Sequence, residues 1–141
     1  MKEPIWIRDF EALALHAQQI QLFGGSDGVR DPDLLASALA RPQNRFAYAN
    51  PPATMAELAA AYAFGLSSNH PFIDGNKRTA MHVSFVFLEF NGCGVTASQQ
   101  DAYLIFMRLA AGELTEAELA QWFEASTRMS KPGRRNPRPA T

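Results

Sequence analysis

Eleven consecutive residues, His70-Pro71-Phe72-Ile73-Asp74-Gly75-Asn76-Lys77-Arg78-Thr79-Ala80, bring together a base, a hard-metal ligand and two cations. A polar helical pattern runs into His70 and a strongly apolar one begins near Asn76, so the motif spans a tight connection and the first turn of a helix. The first N–H groups of a helix lack intrahelical partners, and the aligned peptide dipoles add partial positive charge there. Gly75, with no Cβ, lets a ligand come close to that backbone. Lys77 adds a compact ammonium and Arg78 a planar fork matched to phosphate oxygens. Cations at a helix N-terminus oppose the dipole, so an anion accounts for their presence. Asp74 would repel that anion unless it shares Mg²⁺ with it, or it caps the helix, or both. His70 has the chemistry of a general base, and Phe72 reads as an anchor in the core. The types and spacing suit chemistry on nucleotide phosphates.

The motif resembles the signature of the Fic/Doc superfamily and, within it, the Doc (death-on-curing) branch, whose pattern reads Asn-Lys-Arg where Fic enzymes read Asn-Gly-Arg. Gly24-Gly25, Arg30-Asp31-Pro32-Asp33-Leu34-Leu35, Ala40-Arg41-Pro42-Gln43 and Phe87-Leu88-Glu89-Phe90-Asn91-Gly92 resemble Doc-type sequence at Doc-type spacing, over residues 5–127. Fic enzymes transfer AMP and carry a second arginine three residues after the first, where this chain has Met81, and a glycine where it has Lys77. Both departures are shared with Doc, and they favour an inverted nucleotide and transfer of the γ-phosphate.

The resemblance therefore implies a Doc-like toxin of a type II toxin–antitoxin system. It would phosphorylate a threonine of a translation factor, elongation factor Tu, using ATP and Mg²⁺. It implies that His70 is the base, that Asp74 holds the metal, and that Gly75, Asn76, Lys77 and Arg78 bind the nucleotide. It also implies a small antitoxin whose disordered C-terminal segment folds into a groove, since no built-in inhibitory helix pattern is present. The alternatives are a Fic-type AMP transferase and a nucleotide- or partner-binding module without turnover.

The elements that must position the motif read as helices throughout. Phe10, Leu13, Ala14, Ala17 and Ile20 recur at helical spacing from Arg8 to Phe23, where Gly24-Gly25 stops the run. Asp31 caps a second helix with Pro32 at its first position, and Pro42 ends it. Thr54 and Glu57 form a capping box for a third helix that runs to Asn69. The motif helix, apolar on nearly every side from Ala80 to Phe90, reads as the buried centre and ends at Gly92. On it, His82 reads as a core or groove-edge residue, and Thr79 and Ser84 as capping or back-bonding. Ser98 opens a fifth helix to Ala111, and Thr115 with Glu118 a sixth ending near Arg128. Residues 93–96 suit a short extended piece. The expectation is an all-α, single compact Fic/Doc-like bundle of about six helices around the motif helix. The segment from Arg41 to Pro52 reads as a long connection, and by likeness to Fic proteins as a flap in which Arg45 and Tyr48 recognise the target.

Composition is compatible and sets limits. A chain of 141 residues suits one domain, over residues 1–130, that buries about two thirds of its unfolded surface. The net charge is −1, but residues 131–141 hold four cations and no acid, so nine cations face 14 acids in the rest. That balance argues against direct nucleic-acid binding by the body. The tail itself, basic and Pro-rich, is expected to be disordered. One cysteine, Cys93, allows no internal disulfide, and no apolar run has signal-peptide or membrane-spanning length, which points to the cytoplasm and away from membranes.

Overall fold

The computed structural model describes residues 2–129, so the basic tail, and the expectation that it is disordered, lie outside the described residues. The order is α1 (Asp9–Phe23), α2 (Pro32–Tyr48), α3 (Met55–Asn69), α4 (Asn76–Phe90), β1 (Cys93–Val95), α5 (Gln99–Ala110), α6 (Glu116–Ala125) and β2 (Thr127–Met129). Local chemistry sets most boundaries. Asp31 accepts from the Leu34 N–H at 3.0 Å, with Pro32 opening α2. Thr54 and Glu57 satisfy each other's backbone N–H groups, as do Thr115 and Glu118, and Ser98 accepts from Asp101 N–H. Gly92, at φ 79, follows the Asn91 cap of α4.

Three expectations are corrected. Pro42 does not end α2, which continues to Tyr48. A proline at 42 removes the N–H that would bond the Ala38 carbonyl, yet α2 lies so close to α3 there that a Cβ on Gly65 would sit 3.5 Å from Ala38 Cα and O. Pro42 itself is buried, and tertiary packing carries the helix through. Second, α1 turns a different face inward from the one its apolar recurrence suggested. Ala12, His16 and Gln19 are buried, while Phe10 and Leu13 are 57% and 40% exposed. Third, α6 stops at Ala125, because 127–129 pair antiparallel with β1 in the register Cys93↔Met129, Gly94↔Arg128, Val95↔Thr127. The expected extended piece after α4 is thus one half of a small ribbon.

The core gathers Leu58, Tyr62 and Leu66 of α3, Val83, Phe87 and Leu88 of α4, Phe106 of α5 and Leu119 and Phe123 of α6. Alanines at 59, 60, 61 and 63, all fully buried, let α3 run between α2, α4 and α6. It is enclosed even more completely than α4, whose residues 77, 78, 81 and 82 stay partly open. The fold is an all-α bundle, and the N-terminus of α4 emerges at its surface beside the ends of α1 and α3. No helix among the described residues is long and apolar enough to cross a membrane.

Candidate active site

The turn between α3 and α4 is held from every side. His70 caps α3 in the left-handed region, at φ 49 and ψ 54, a conformation non-glycine residues seldom adopt. Arg30 holds that end, donating from Nε to His70 O at 2.7 Å and from Nη2 to Asn69 O at 2.9 Å. Pro71 O accepts from the N–H groups of Arg30 and Asp31, and Ile73 N–H donates to Gly28 O. The α1–α2 connection and the motif turn therefore form a short antiparallel bridge, Val29↔Phe72. Beneath it Phe72, 1% exposed, stacks on the His16 ring at 3.8 Å with planes 6° apart. His16 Nε2 lies 2.8 Å from Asp74 O; a carbonyl only accepts, so this nitrogen carries a proton.

Asn76 ties the turn internally. Its Oδ1 accepts from Phe72 N–H at 3.0 Å and its Nδ2 donates to Phe72 O at 2.9 Å, which fixes the amide's orientation. Nδ2 then faces His70 Nδ1 at 3.2 Å, so Nδ1 accepts and a neutral His70 carries its proton on Nε2. Base action at Nε2 requires the other tautomer, at the cost of one long hydrogen bond, about 1 kcal/mol. Gly75 is the N-cap of α4 at φ 78, and a Cβ there would come 3.2 Å from Ile20 Cδ1. Asp74, expected also as a cap, does not cap α4: its Oδ2 accepts from Ser26 N–H at 2.8 Å.

Lys77 and Arg78 make no ion pair with a carboxylate among the described residues. Lys77 Nζ rests 4.9 Å from the centre of the Tyr103 ring, and Arg78 Cζ 4.9 Å from that of Phe23. Arg78 also donates to Gly24 O at 3.3 Å. Two uncompensated cations beside open helix N–H groups make an anion site. It opens into a cleft of about 630 Å³ whose wall includes His70, Asp74, Gly75, Asn76, Lys77 and Arg78. The described residues hold no cluster of three or more His, Cys, Asp or Glu that could bind a metal ion unaided. Asp74 is exposed at the cleft, with only Oδ2 engaged by a described partner. One carboxylate beside an anion site fits Mg²⁺, which commonly takes a single carboxylate plus substrate phosphates.

The structure thus brings the six motif residues to one cleft but places the other two elsewhere. Arg45 and Tyr48 lie on α2 instead of a flap. Arg45 joins Glu57 of α3 at 2.9 Å and Glu116 of α6 at 3.2 Å, Arg41 also binds Glu116, and Tyr48 is 84% exposed and does not line the cleft. The segment that does accompany the motif is 26–31. Sequence reasoning also passed over His16, Gln19, Arg30, Phe23 and Tyr103; the first two sit on the α1 face that the apolar pattern concealed. His82 lies on the cleft wall, half-buried, and burial pushes its imidazole below the ordinary 6.5, opposed in part by the charge of Glu89. Ser84 bonds back to Met81 O at 2.8 Å, whereas Thr79 Oγ1 is buried without a partner among the described residues.

This turn, its cation pair and the helical frame around them match the Fic/DOC family over residues 6–88, and the chain belongs to that family. It is 34% identical over 110 residues to the "Protein kinase doc" of Escherichia phage P1, an alignment spanning 78% of this chain and 86% of that one. It is 41% identical over 75 residues to "Toxin Doc" of Mycolicibacterium smegmatis, spanning 53% and 58% respectively.

Proposed function

We propose that this protein is a Doc-like toxin that transfers the γ-phosphate of ATP to a threonine hydroxyl of a translation factor, elongation factor Tu, and so arrests translation. The observation that carries the reading is the cation couple Lys77–Arg78 at the N-terminus of α4, without a carboxylate partner among the described residues and lining one cleft with His70 and Asp74. Similarity to a protein named as a kinase, and the presence of Lys77 and Met81 where AMP-transferring relatives have glycine and arginine, favour phosphate over AMP.

In this reading His70 takes the proton of the target hydroxyl as its oxygen bonds to the γ-phosphorus, and the bond from that phosphorus to the β,γ-bridging oxygen breaks to release ADP. Lys77, Arg78 and the first N–H groups of α4 hold phosphate oxygens and stabilise their charge. Asp74 holds Mg²⁺, which when bound neutralises phosphate charge. Asn76 spends its side chain on Phe72 and His70, so its part is to place the base. Arg30 and residues 26–31 set the turn, and the target chain would pass their side of the cleft in place of Arg45 and Tyr48. A small antitoxin, folding a disordered segment over the groove, would restrain the enzyme.

The test uses ATP labelled at the γ-phosphate or in the adenosine, with the translation factor as acceptor. γ-Label on a threonine, lost in His70→Ala, is the expected result. Adenosine label on the target would establish AMP transfer instead, and no label with any acceptor would leave only binding.

A further inference from the structure

We infer that Gln19 reads the nucleobase: its primary amide is the cleft's receptor for the donor–acceptor edge of a purine, a role that rests on the nucleotide reading above. Gln19 is 0% exposed, and neither Nε2 nor Oε1 has a hydrogen-bond partner among the described residues. Native interiors pair nearly all such atoms, so two orphans on one side chain ask for a missing partner. Gln19 is also part of the wall of the cleft that holds the cation couple.

What the partner must be follows from the amide. A primary amide offers a donor beside an acceptor, and a phosphate, which only accepts, leaves Oε1 unpaired. Adenine presents an amino donor next to a ring-nitrogen acceptor, the pairing that glutamine makes with adenine elsewhere. The neighbours suit a flat apolar ring: Phe23, one turn further along the same face of α1, and Met81 of α4. Access is coupled to the phosphates. Phe23 is 60% exposed and lies under Arg78, so when Arg78 turns to a phosphate the ring loses that contact and is free to move within the cleft wall it shares with Gln19. His16, one turn before, is already satisfied by Asp74 O, so the orphaned amide is particular to Gln19.

The experiment compares full-chain wild type with Gln19→Leu and Gln19→Met, titrating each with Mg-ATP and with inorganic tripolyphosphate by calorimetry. Both variants are expected to fold with Tm no lower than wild type, since an unpaired polar group is removed. They should bind ATP at least fivefold more weakly while holding tripolyphosphate as before. ATP affinity within fivefold of wild type in either folded variant overturns the inference, and so does an equal loss for both ligands, which would mark a general change of cleft shape. A wild type that binds neither ligand overturns it together with the nucleotide reading, whereas wild-type ATP binding that the variants retain overturns this inference alone.

Discussion

Asn76 closes a ring on Phe72, accepting from its N–H at 3.0 Å and donating to its carbonyl at 2.9 Å, and this leaves one amide hydrogen for His70. The same side chain therefore shapes the turn and orients the His70 ring. Asn76→Ala is expected to lower stability by about 2 kcal/mol, two buried backbone groups losing their partner. It should also reduce transfer about 100-fold through misplacement of His70, with the ATP KM little changed. Thermal unfolding and initial rates check both; transfer within threefold of wild type would separate Asn76 from the base.

Gly75 is next to be tested, because both its φ of 78 and its 3.2 Å approach to Ile20 Cδ1 exclude a side chain. Gly75→Ala should cost about 1–2 kcal/mol from the left-handed backbone and displaced Ile20. It should also weaken tripolyphosphate binding, since the same residue presents the α4 N–H groups. Calorimetry showing unchanged anion affinity would mean those N–H groups do not face the ligand.

The place of these two residues at the turn was legible because their chemistry is local, although Asn76, expected to bind the nucleotide, gives its amide to Phe72 and His70. The glycine, the asparagine and the cations sit within a few residues of the turn they build, as do the capping pairs Thr54–Glu57 and Thr115–Glu118 that fix helix starts. What escaped depends on partners far along the chain. Pro42 reads as a stop until α3 packs against α2 at Gly65, and Arg45 reads as a flap residue until Glu57 and Glu116 meet it. His16 and Gln19 draw no reading, because Phe10 and Leu13 supply the apolar pattern of α1 and yet face outward.

Arg45 should consequently matter for stability and not for chemistry. It links α2 to α3 and α6, and Glu116, its partner, has a side chain only 15% exposed. Arg45→Ala is expected to cost about 1 kcal/mol and to leave ATP and target kinetics unchanged. The Glu57 carboxyl is held below its ordinary 4.5, first by the Thr54 backbone N–H and further by the Arg45 charge. Its contribution is present above that value and lost as pH falls below it, and the variant should show a shallower loss. A slower target reaction at unchanged stability would return Arg45 to recognition.

His82 gives a second pH signature of different origin. Burial favours its neutral form, so the unfolded chain takes up a proton more readily than the folded one as pH falls below 6.5. Stability from this group is full above 6.5 and declines as pH drops through the lower folded value. His82→Leu should flatten that part of the Tm-against-pH curve. An unaltered curve between pH 7.5 and 5.5 would mean that the imidazole is solvated in the folded chain.

Under the proposed phosphate transfer, Lys77 is the residue expected to set which phosphate reacts. Its ammonium stands over Tyr103 at 4.9 Å, beside Arg78 on the same helical turn, and fills space that a glycine would leave open. An ammonium there would add charge to one end of the cleft and narrow it, which in the proposed reading turns the terminal group of a triphosphate toward His70. Lys77→Gly removes both the charge and the bulk. Transfer of γ-label is expected to fall at least tenfold, about 1.4 kcal/mol of transition-state stabilisation, while folding persists because the residue is only partly buried. Label from the adenosine appearing on the target would show that orientation is set at this residue. Undiminished γ-transfer would place the choice of phosphate elsewhere in the cleft, with Met81 the next position to exchange.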